Sequence, residues 1–423
     1  MHALHIIQRY YPYLGGSELV CQVLSERLAA EGQRVSVWTT DAWDLDHFWA
    51  SGRRTVRSPI EQHNGVQIRR FPVQRAPGPP LVYPIIRRLM VELSRLPATA
   101  PLLLLMAQIT PRVPEMALAL TTTPERFDLV HTANITLDFT IVPAMRFARE
   151  RRIPHIITPY VHLGVPGDNS LVRYYSMRHH IELMKQSDRV IVQTLAEQEF
   201  LAERGVPRSM MRCIGVGVEP RELAGGDAER FRAETGVRQP FVLSVGTLAR
   251  DKGMFDLIAA MQLLWQRGRR EELVLIGTPM AQFEAFWETL PAADRERIHV
   301  FARAPQERKL DALAAATLFA MPSRTDSFGI SYLEAWIYGL PVIGARAGGV
   351  PDVIRDGETG YLVPFADPPA LATRIAELLD NPDTARKLGQ SGRAHTLRQL
   401  TWDRKYAEMR DVYAELVDLS PRP

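Results

Sequence analysis

Over the first 220 residues, short apolar runs alternate with longer stretches in which apolar residues recur every three or four positions. The runs L-H-I-I-Q-R, V-S-V-W-T-T, F-D-L-V-H-T, H-I-I-T-P and R-V-I-V-Q-T predict strands. Between the first two, Glu18 to Glu31 predicts a helix with Leu19, Val23, Leu24 and Leu28 on one face. Apolar strands separated by amphipathic helices are what a parallel sheet with crossover helices requires. Arg221 to Arg238, rich in charge and glycine, reads as a linker. Beyond it F-V-L-S-V-G, L-V-L-I-G, I-H-V-F-A, L-F-A-M-P, P-V-I-G-A and G-Y-L-V-P predict a second parallel sheet, each run again followed by a helical stretch.

A chain of 423 residues exceeds what one core usually organises, which agrees with two Rossmann-like halves, 1–218 and 219–402. Charge adds little: 51 basic against 48 acidic side chains leave a net of +3, with no nucleic-acid footprint. Cys21 and Cys213 form no C-x-x-C, so no disulfide framework or zinc knuckle is indicated, and a reducing cytoplasm fits. The opening M-H-A-L-H-I-I lacks a basic start and reads as a buried first strand with no export signal. Leu96 to Pro111, the longest uncharged stretch of the apolar middle, is broken by Pro97 and Pro101 and falls short of the ~20 residues of a spanning helix. Around it, Leu81 to Met116 predicts either an interfacial element or lipid-acceptor groove flanked by Arg87, Arg88 and Arg95, or two ordinary core helices. With the basic run Arg146 to Arg152, the first alternative implies peripheral contact with the inner membrane face.

Candidate chemistry gathers after the strands. Gly15 and Gly16 lie between the first strand and first helix, where small residues let a ligand approach backbone amides. In S-V-G-T-L-A-R-D-K-G, the turn at Gly246 precedes Arg250 and Lys252, two cations able to converge on a diphosphate. In S-R-T-D-S-F-G-I-S-Y-L-E-A-W-I-Y-G, Asp326 falls on a loop and Glu334 on the following helix. Ser327, Phe328, Gly329 and Ile330 stand at the helix start, ready to offer amides to phosphates, and Glu334 suits the two hydroxyls of a ribose. His162 follows a strand at the sheet edge where doubly wound folds bind ligands, and is preferred over His131. Asp41, Asp44, Asp46 and His47 look like a metal set, but among 48 acids in 423 residues a D-x-D pair arises by chance; no metal ligands are assigned.

These motifs, nearly end to end, resemble the retaining glycosyltransferases of family 4, which have the GT-B fold of two Rossmann-like domains with parallel sheets facing a cleft. The resemblance implies that Gly15 and Gly16 face the acceptor and donor phosphates, and that His162 approaches the transferred sugar. It implies Arg250 and Lys252 on the diphosphate, and it aligns the family's E-x7-E with Asp326 and Glu334. Here the first acid is Asp, a side chain one bond shorter, which bears on sugar identity. A-G-G-V-P-D, with Asp352 in the acidic place, matches a family stretch that carries fold more than chemistry. T-W-D-R-K-Y begins a last helix, 403–423, expected to return to the first domain. The activity implied is transfer from a nucleoside diphosphate sugar to a hydroxyl acceptor, glycan or lipid-linked, without metal or other cofactor. A nucleotide-sugar epimerase or hydrolase of the same fold and a non-catalytic nucleotide-sugar binder stay open as alternatives.

Overall fold

A computed structural model of the chain describes residues 1–13, 15–76 and 79–418. Two compact units divide it: residues 1–161, 170–214 and 406–423, and residues 162–169 and 215–405. Residues 419–423 of the expected last helix lie outside the described residues.

Among the described residues the first unit holds eight strands: β1 His2–Ile6, β2 Arg34–Thr40, β3 Ile60–His63, β4 Val66–Phe71, β5 Leu129–Ala133, β6 His155–Thr158, β7 Arg189–Val192 and β8 Met211–Cys213. Their order is β3-β4-β2-β1-β5-β6-β7-β8, with only β3 against β4 antiparallel. That hairpin, absent from the sequence reading, turns at Asn64 and Gly65, both at positive φ (46° and 79°), as a two-residue turn requires. The central strands of the sheet are buried on both faces. Ala3, Ile7, Val35 and Val37 point into one core with Leu24, Leu28 and Tyr413, while Leu4, Ile6 and Trp38 point into another with Phe71, Phe139 and Phe147. Period-two alternation between two apolar cores explains why these strands read as continuous apolar runs.

The first helix, Gly16–Ala30, corrects the expected face. Glu18, Leu24, Ser25 and Leu28 are its buried residues, and Leu19 and Val23 are partly exposed. Two polar side chains go inward because each is paired there: Glu18 with Arg9 at 2.9 Å, and Ser25 Oγ with His5 Nδ1 at 2.7 Å. The supposed linker is also folded: Asp227 caps a helix over Ala228–Thr235 by accepting from the Glu229 and Arg230 amides. Arg230 then pairs with buried Asp311 within the second unit.

The second unit carries β9 Phe241–Val245, β10 Glu272–Ile276, β11 Ile298–Phe301, β12 Leu318–Met321, β13 Val342–Ala345 and β14 Tyr361–Val363. All are parallel, in the order β11-β10-β9-β12-β13-β14. The chain builds from β9 to one side, then crosses to β12 on the other. The gap beyond the carboxyl ends of β9 and β12 is therefore the switch point where such sheets open a crevice.

Candidate active site

The two loops at that switch point carry the predicted residues. After β9 the chain passes Gly246, forms a short 3-10 turn over Arg250–Lys252, and enters the helix Met254–Gln266 through Gly253. After β12 it runs from Pro322 to Gly329, then into the helix Ile330–Ile337. Glycine brings the loops together: at Gly253, φ is 75° and a Cβ would stand 2.2 Å from the Pro322 carbonyl oxygen.

Lys252 Nζ donates to Asp326 Oδ1 at 2.7 Å, with side chains 24% and 14% exposed. Burial would raise the Asp326 carboxyl, but the Lys252 charge and hydrogen bond lead the groups that hold it below its usual range. Its other oxygen, Oδ2, is buried with no hydrogen-bond partner among the described residues. A buried unpaired carboxylate oxygen is costly, and a donor from a ligand would satisfy it.

His162 belongs to the segment 162–169 of this same unit. Burial pushes its imidazole down to about 4; Lys252 adds to the effect and Asp326 opposes it. The ring is thus neutral near pH 7, a hydrogen-bonding group and not a reservoir of charge. What fixes its loop is the A-G-G stretch: the Gly348 amide donates to Gly164 O at 2.7 Å, and the Gly349 amide to Asp326 O at 2.9 Å. Residues read from sequence as carrying fold therefore tether the His162 and Asp326 loops to one turn.

Arg250 is exposed and lies over the Phe255 ring at 4.6 Å. Asp251 turns to Arg324 at 2.7 Å, which ties the two loops a second time. Ser327 is partly buried, Phe328 and Gly329 are buried, and Gly329, at φ 96°, precedes the first helical residue, Ile330. The first amides of a helix lack intrahelical acceptors, so this end faces the switch point with donors to offer. Glu334, one turn on, is paired with Lys309 at 2.7 Å. Lys309 and Arg324 are charged residues of the site that sequence reading did not single out.

In the first unit, Gly15 and Gly16 sit at the equivalent switch point, between β1 and β5. Gln8 donates to Ala133 O at 2.9 Å and Asn134 to Gln8 Oε1 at 3.0 Å, joining the loops after those strands. A Cβ on Gly15 would meet Glu18 Oε2 at 2.4 Å, whereas one on Gly16 would meet nothing within 4 Å. A side chain at Gly15 would therefore have to displace the Glu18 carboxylate, whereas Gly16 leaves open room. His131 is fully engaged, with Nδ1 2.7 Å from Tyr413 Oη and Nε2 2.8 Å from Thr158 Oγ1, and plays a structural part.

The acids of the D-x-D stretch face basic partners: Asp44 with Arg54 at 2.6 Å, Asp46 with Arg53 at 3.8 Å and Asp41 with His47 at 3.5 Å. Among the described residues one group is close enough to share an ion, Asp138, His179 and His180, all buried. Arg87 already donates to the same Asp138 oxygen at 2.8 Å, as do both imidazoles at 2.8 and 2.9 Å. A guanidinium in that place neutralises the carboxylate and repels a dication.

Comparison with known proteins places this architecture. Residues 15–217 match the family profile described as glycosyl transferase 4-like domain, and residues 227–395 match glycosyl transferases group 1. A D-inositol 3-phosphate glycosyltransferase of Acidothermus cellulolyticus is 32% identical over 246 residues, 55% of this chain and 54% of the relative. One from Corynebacterium efficiens is 34% identical over 195 residues, 44% of this chain and 46% of the relative. The chain spans about half the length of the curated relatives it matches. Among solved structures, a sucrose-phosphate synthase from Thermosynechococcus elongatus has TM-score 0.73 at 22% identity, covering 98% of both chains. HepE of Anabaena in complex with UDP and glucose has TM-score 0.72 at 19% identity, covering 98% of this chain and 100% of that one, and the fold is GT-B. With its two matched segments accounting for most of its length, the chain belongs to the group 1 glycosyltransferases of the family 4 type.

Proposed function

We propose that the protein transfers a sugar from a nucleoside diphosphate sugar to a hydroxyl acceptor with retention at the anomeric carbon. The observation that carries this reading is the cluster of Lys252, Asp326 and His162 at the switch point of the second sheet. Lys252 and Arg250 take the diphosphate, doing in charge what a metal does elsewhere, at roughly 1.5 to 3 kcal/mol per charge-assisted hydrogen bond. The amides from Ser327 to Ile330 add donors to the same phosphates, and Glu334 accepts from the ribose. The buried free oxygen of Asp326 supports a contact to a sugar hydroxyl. The anomeric C–O bond to the phosphate breaks, the acceptor oxygen takes its place on the same face, and the acceptor's proton passes to the departing phosphate oxygen. His162, neutral, orients the sugar.

HepE of Anabaena is described with UDP and with UDP-glucose, which puts UDP first among the bases to try. The deciding experiment is a thermal-shift screen of UDP, GDP and ADP sugars followed by turnover with and without an acceptor panel. A bound ligand at a hundred times its Kd adds roughly 2.7 kcal/mol of stability. Product only with acceptor supports the transferase. Product without acceptor favours the hydrolase or epimerase, and binding without turnover favours the non-catalytic reading.

The acceptor side has its own observation. Leu81, Ile85 and Leu89, at helical spacing along Val82–Leu93, are 62%, 60% and 51% exposed, and Leu105 in the helix Ala100–Met106 is 66% exposed. Arg87 points inward, so the exposed cations beside this stripe are Arg88 and Arg95, the latter paired with Glu92. Apolar ridges with a basic neighbour suit a bilayer surface and hence a lipid-linked acceptor in cytoplasmic reach of it. No described helix is long and apolar enough to cross a membrane.

A further inference from the structure

Lys309 lies on the helix Gln306–Ala315, one residue before buried Leu310, and reaches across to the helix Ile330–Ile337. Its ammonium stands 2.7 Å from Glu334 Oε1, and the two side chains are only 17% and 14% exposed. An exposed ion pair is worth little, but one this sheltered has lost most of its solvent and is held by geometry. A carboxylate has about four acceptor sites, so with one taken by Lys309 the remainder, including both on Oε2, are left for hydroxyl donors.

Charge makes the arrangement more than a tether. On the proposed reading of the site, a diphosphate is bound by Arg250 and Lys252 within a helical turn or two of Glu334. Asp326, Glu334 and Asp251 contribute three negative charges there, and Arg250, Lys252 and Arg324 three positive ones. The pocket is neutral without Lys309 and carries +1 with it. A bare Glu334, itself only 14% exposed, would repel the incoming diphosphate, and a charge so sheltered is weakly screened.

We propose that Lys309 is a positioning residue for the donor nucleotide: it fixes the Glu334 carboxylate for the ribose hydroxyls and cancels its repulsion of the diphosphate. This rests on Glu334 being the ribose acceptor, and the test separates the two ideas. UDP, GDP, ADP and their 2′-deoxy counterparts are titrated calorimetrically into wild type, K309M, K309R, E334Q and the K309M/E334Q double variant, with melting temperatures recorded for each. Wild type should prefer one ribonucleotide over its deoxy form. K309M should weaken that ribonucleotide about tenfold, the worth of one charge-assisted contact, and lose part of the ribose preference. K309R should restore most of both, and the double variant should bind no worse than E334Q alone.

Wild-type affinity and ribose preference in K309M, with its fold intact, would overturn the inference, as would losses that simply add in the double variant. Unchanged ribose preference in E334Q would instead bring down the ribose reading of Glu334, and the role of Lys309 with it. If wild type bound none of the six nucleotides, the donor pocket itself would be misassigned. A fall in melting temperature for K309M with unchanged binding marks a purely structural pair.

Discussion

Lys252 and Asp326 are joined at 2.7 Å across loops that leave neighbouring parallel strands, so the cation proposed for the diphosphate and the acid proposed for the sugar already share one hydrogen bond. Lys252→Ala removes both the proposed diphosphate contact and the charge that holds the Asp326 carboxyl down. Loss of one such oxyanion-type contact typically costs about 10²- to 10³-fold in rate. Turnover with an accepted donor should fall by that range while the nucleotide-free fold persists. Undiminished kcat in this variant sinks the diphosphate assignment.

Asp326 also carries a linkage signature. Its folded pKa lies below the ordinary carboxylate value, so its contribution to stability is present above the unfolded pKa and is lost as pH falls through the folded one. Asp326→Asn should therefore destabilise the protein most at neutral pH and least in acid. Asp326→Glu inserts one more bond where Lys252 is already in contact, pushing the carboxylate further toward the proposed sugar site. The ranking of donor sugars should change while affinity for the free nucleoside diphosphate stays within about twofold. An identical sugar ranking for D326E and wild type would remove position 326 from donor selection.

The strands were legible because the central strands of both sheets are buried on two faces, and their apolar runs in sequence coincide with β1, β2, β5, β6, β7 and all six strands of the second unit to within three residues. The β3–β4 hairpin was signalled by Asn64-Gly65, yet its strands, I-E-Q-H and V-Q-I-R-R-F, are too polar to stand out as runs. Glu18 and Ser25 escaped for a related reason, since a buried polar residue looks like a solvated one until its partner is known. Arg9 is nine positions from Glu18, and His5 twenty from Ser25. The loops carrying Lys252 and Asp326 could be placed, but their meeting could not, because 74 residues separate them and strand order decides which loops are neighbours. The same holds for Lys309 with Glu334, and for Gly348 beneath Asp326.

Acid should weaken the fold through its buried histidines. His5 lies between Ser25 Oγ at 2.7 Å and Tyr413 Oη at 3.0 Å, and His155 between Ser187 and Thr132, both at 3.0 Å. Burial pushes both imidazoles down to about 3. An unfolded histidine takes up its proton near 6.5, so stability rises with pH between about 3 and 6.5 and is lost as pH falls through that window. Each such group costs about 2 kcal/mol on going to pH 5. Glu197, raised to about 7 by burial, and Asp256, also raised by burial, act oppositely, but they are two groups against His2, His5, His155, His162 and His180 at about 3 to 4. The urea midpoint should drop clearly from pH 7 to pH 5, and His155→Gln should flatten the slope. Equal midpoints at the two pH values would contradict the buried-neutral assignment.

Membrane contact can be tested by the exposed stripe itself. Ile85→Gln and Leu105→Gln replace side chains that are 60% and 66% exposed, so neither should alter stability by more than about 0.5 kcal/mol. Co-sedimentation with vesicles containing phosphatidylglycerol should capture wild type and release the double variant. Full recovery of wild type in the supernatant would dismiss the bilayer as the partner of this face.

Gly348 offers the sharpest test of how the site is held. Its φ is 59°, and a Cβ there would stand 2.3 Å from the Asp326 carbonyl oxygen, a separation no structure tolerates. Gly348→Ala therefore combines two effects, a left-handed backbone penalty of roughly 1 to 2 kcal/mol and displacement of the loop that carries Asp326. Gly357 separates them, since its φ is 78° and a Cβ there meets nothing within 4 Å. Gly357→Ala should lower stability by a similar backbone term and leave kcat near wild type. Gly348→Ala should lower kcat at least about tenfold as well, because a 1 Å misplacement of a reacting group can cost about 10²-fold. Melting curves and steady-state kinetics on the pair decide it. If both variants lose the same stability and keep the same activity, the turn at Gly348 does not position Asp326, and the tether seen between Gly349 and Asp326 has no part in turnover.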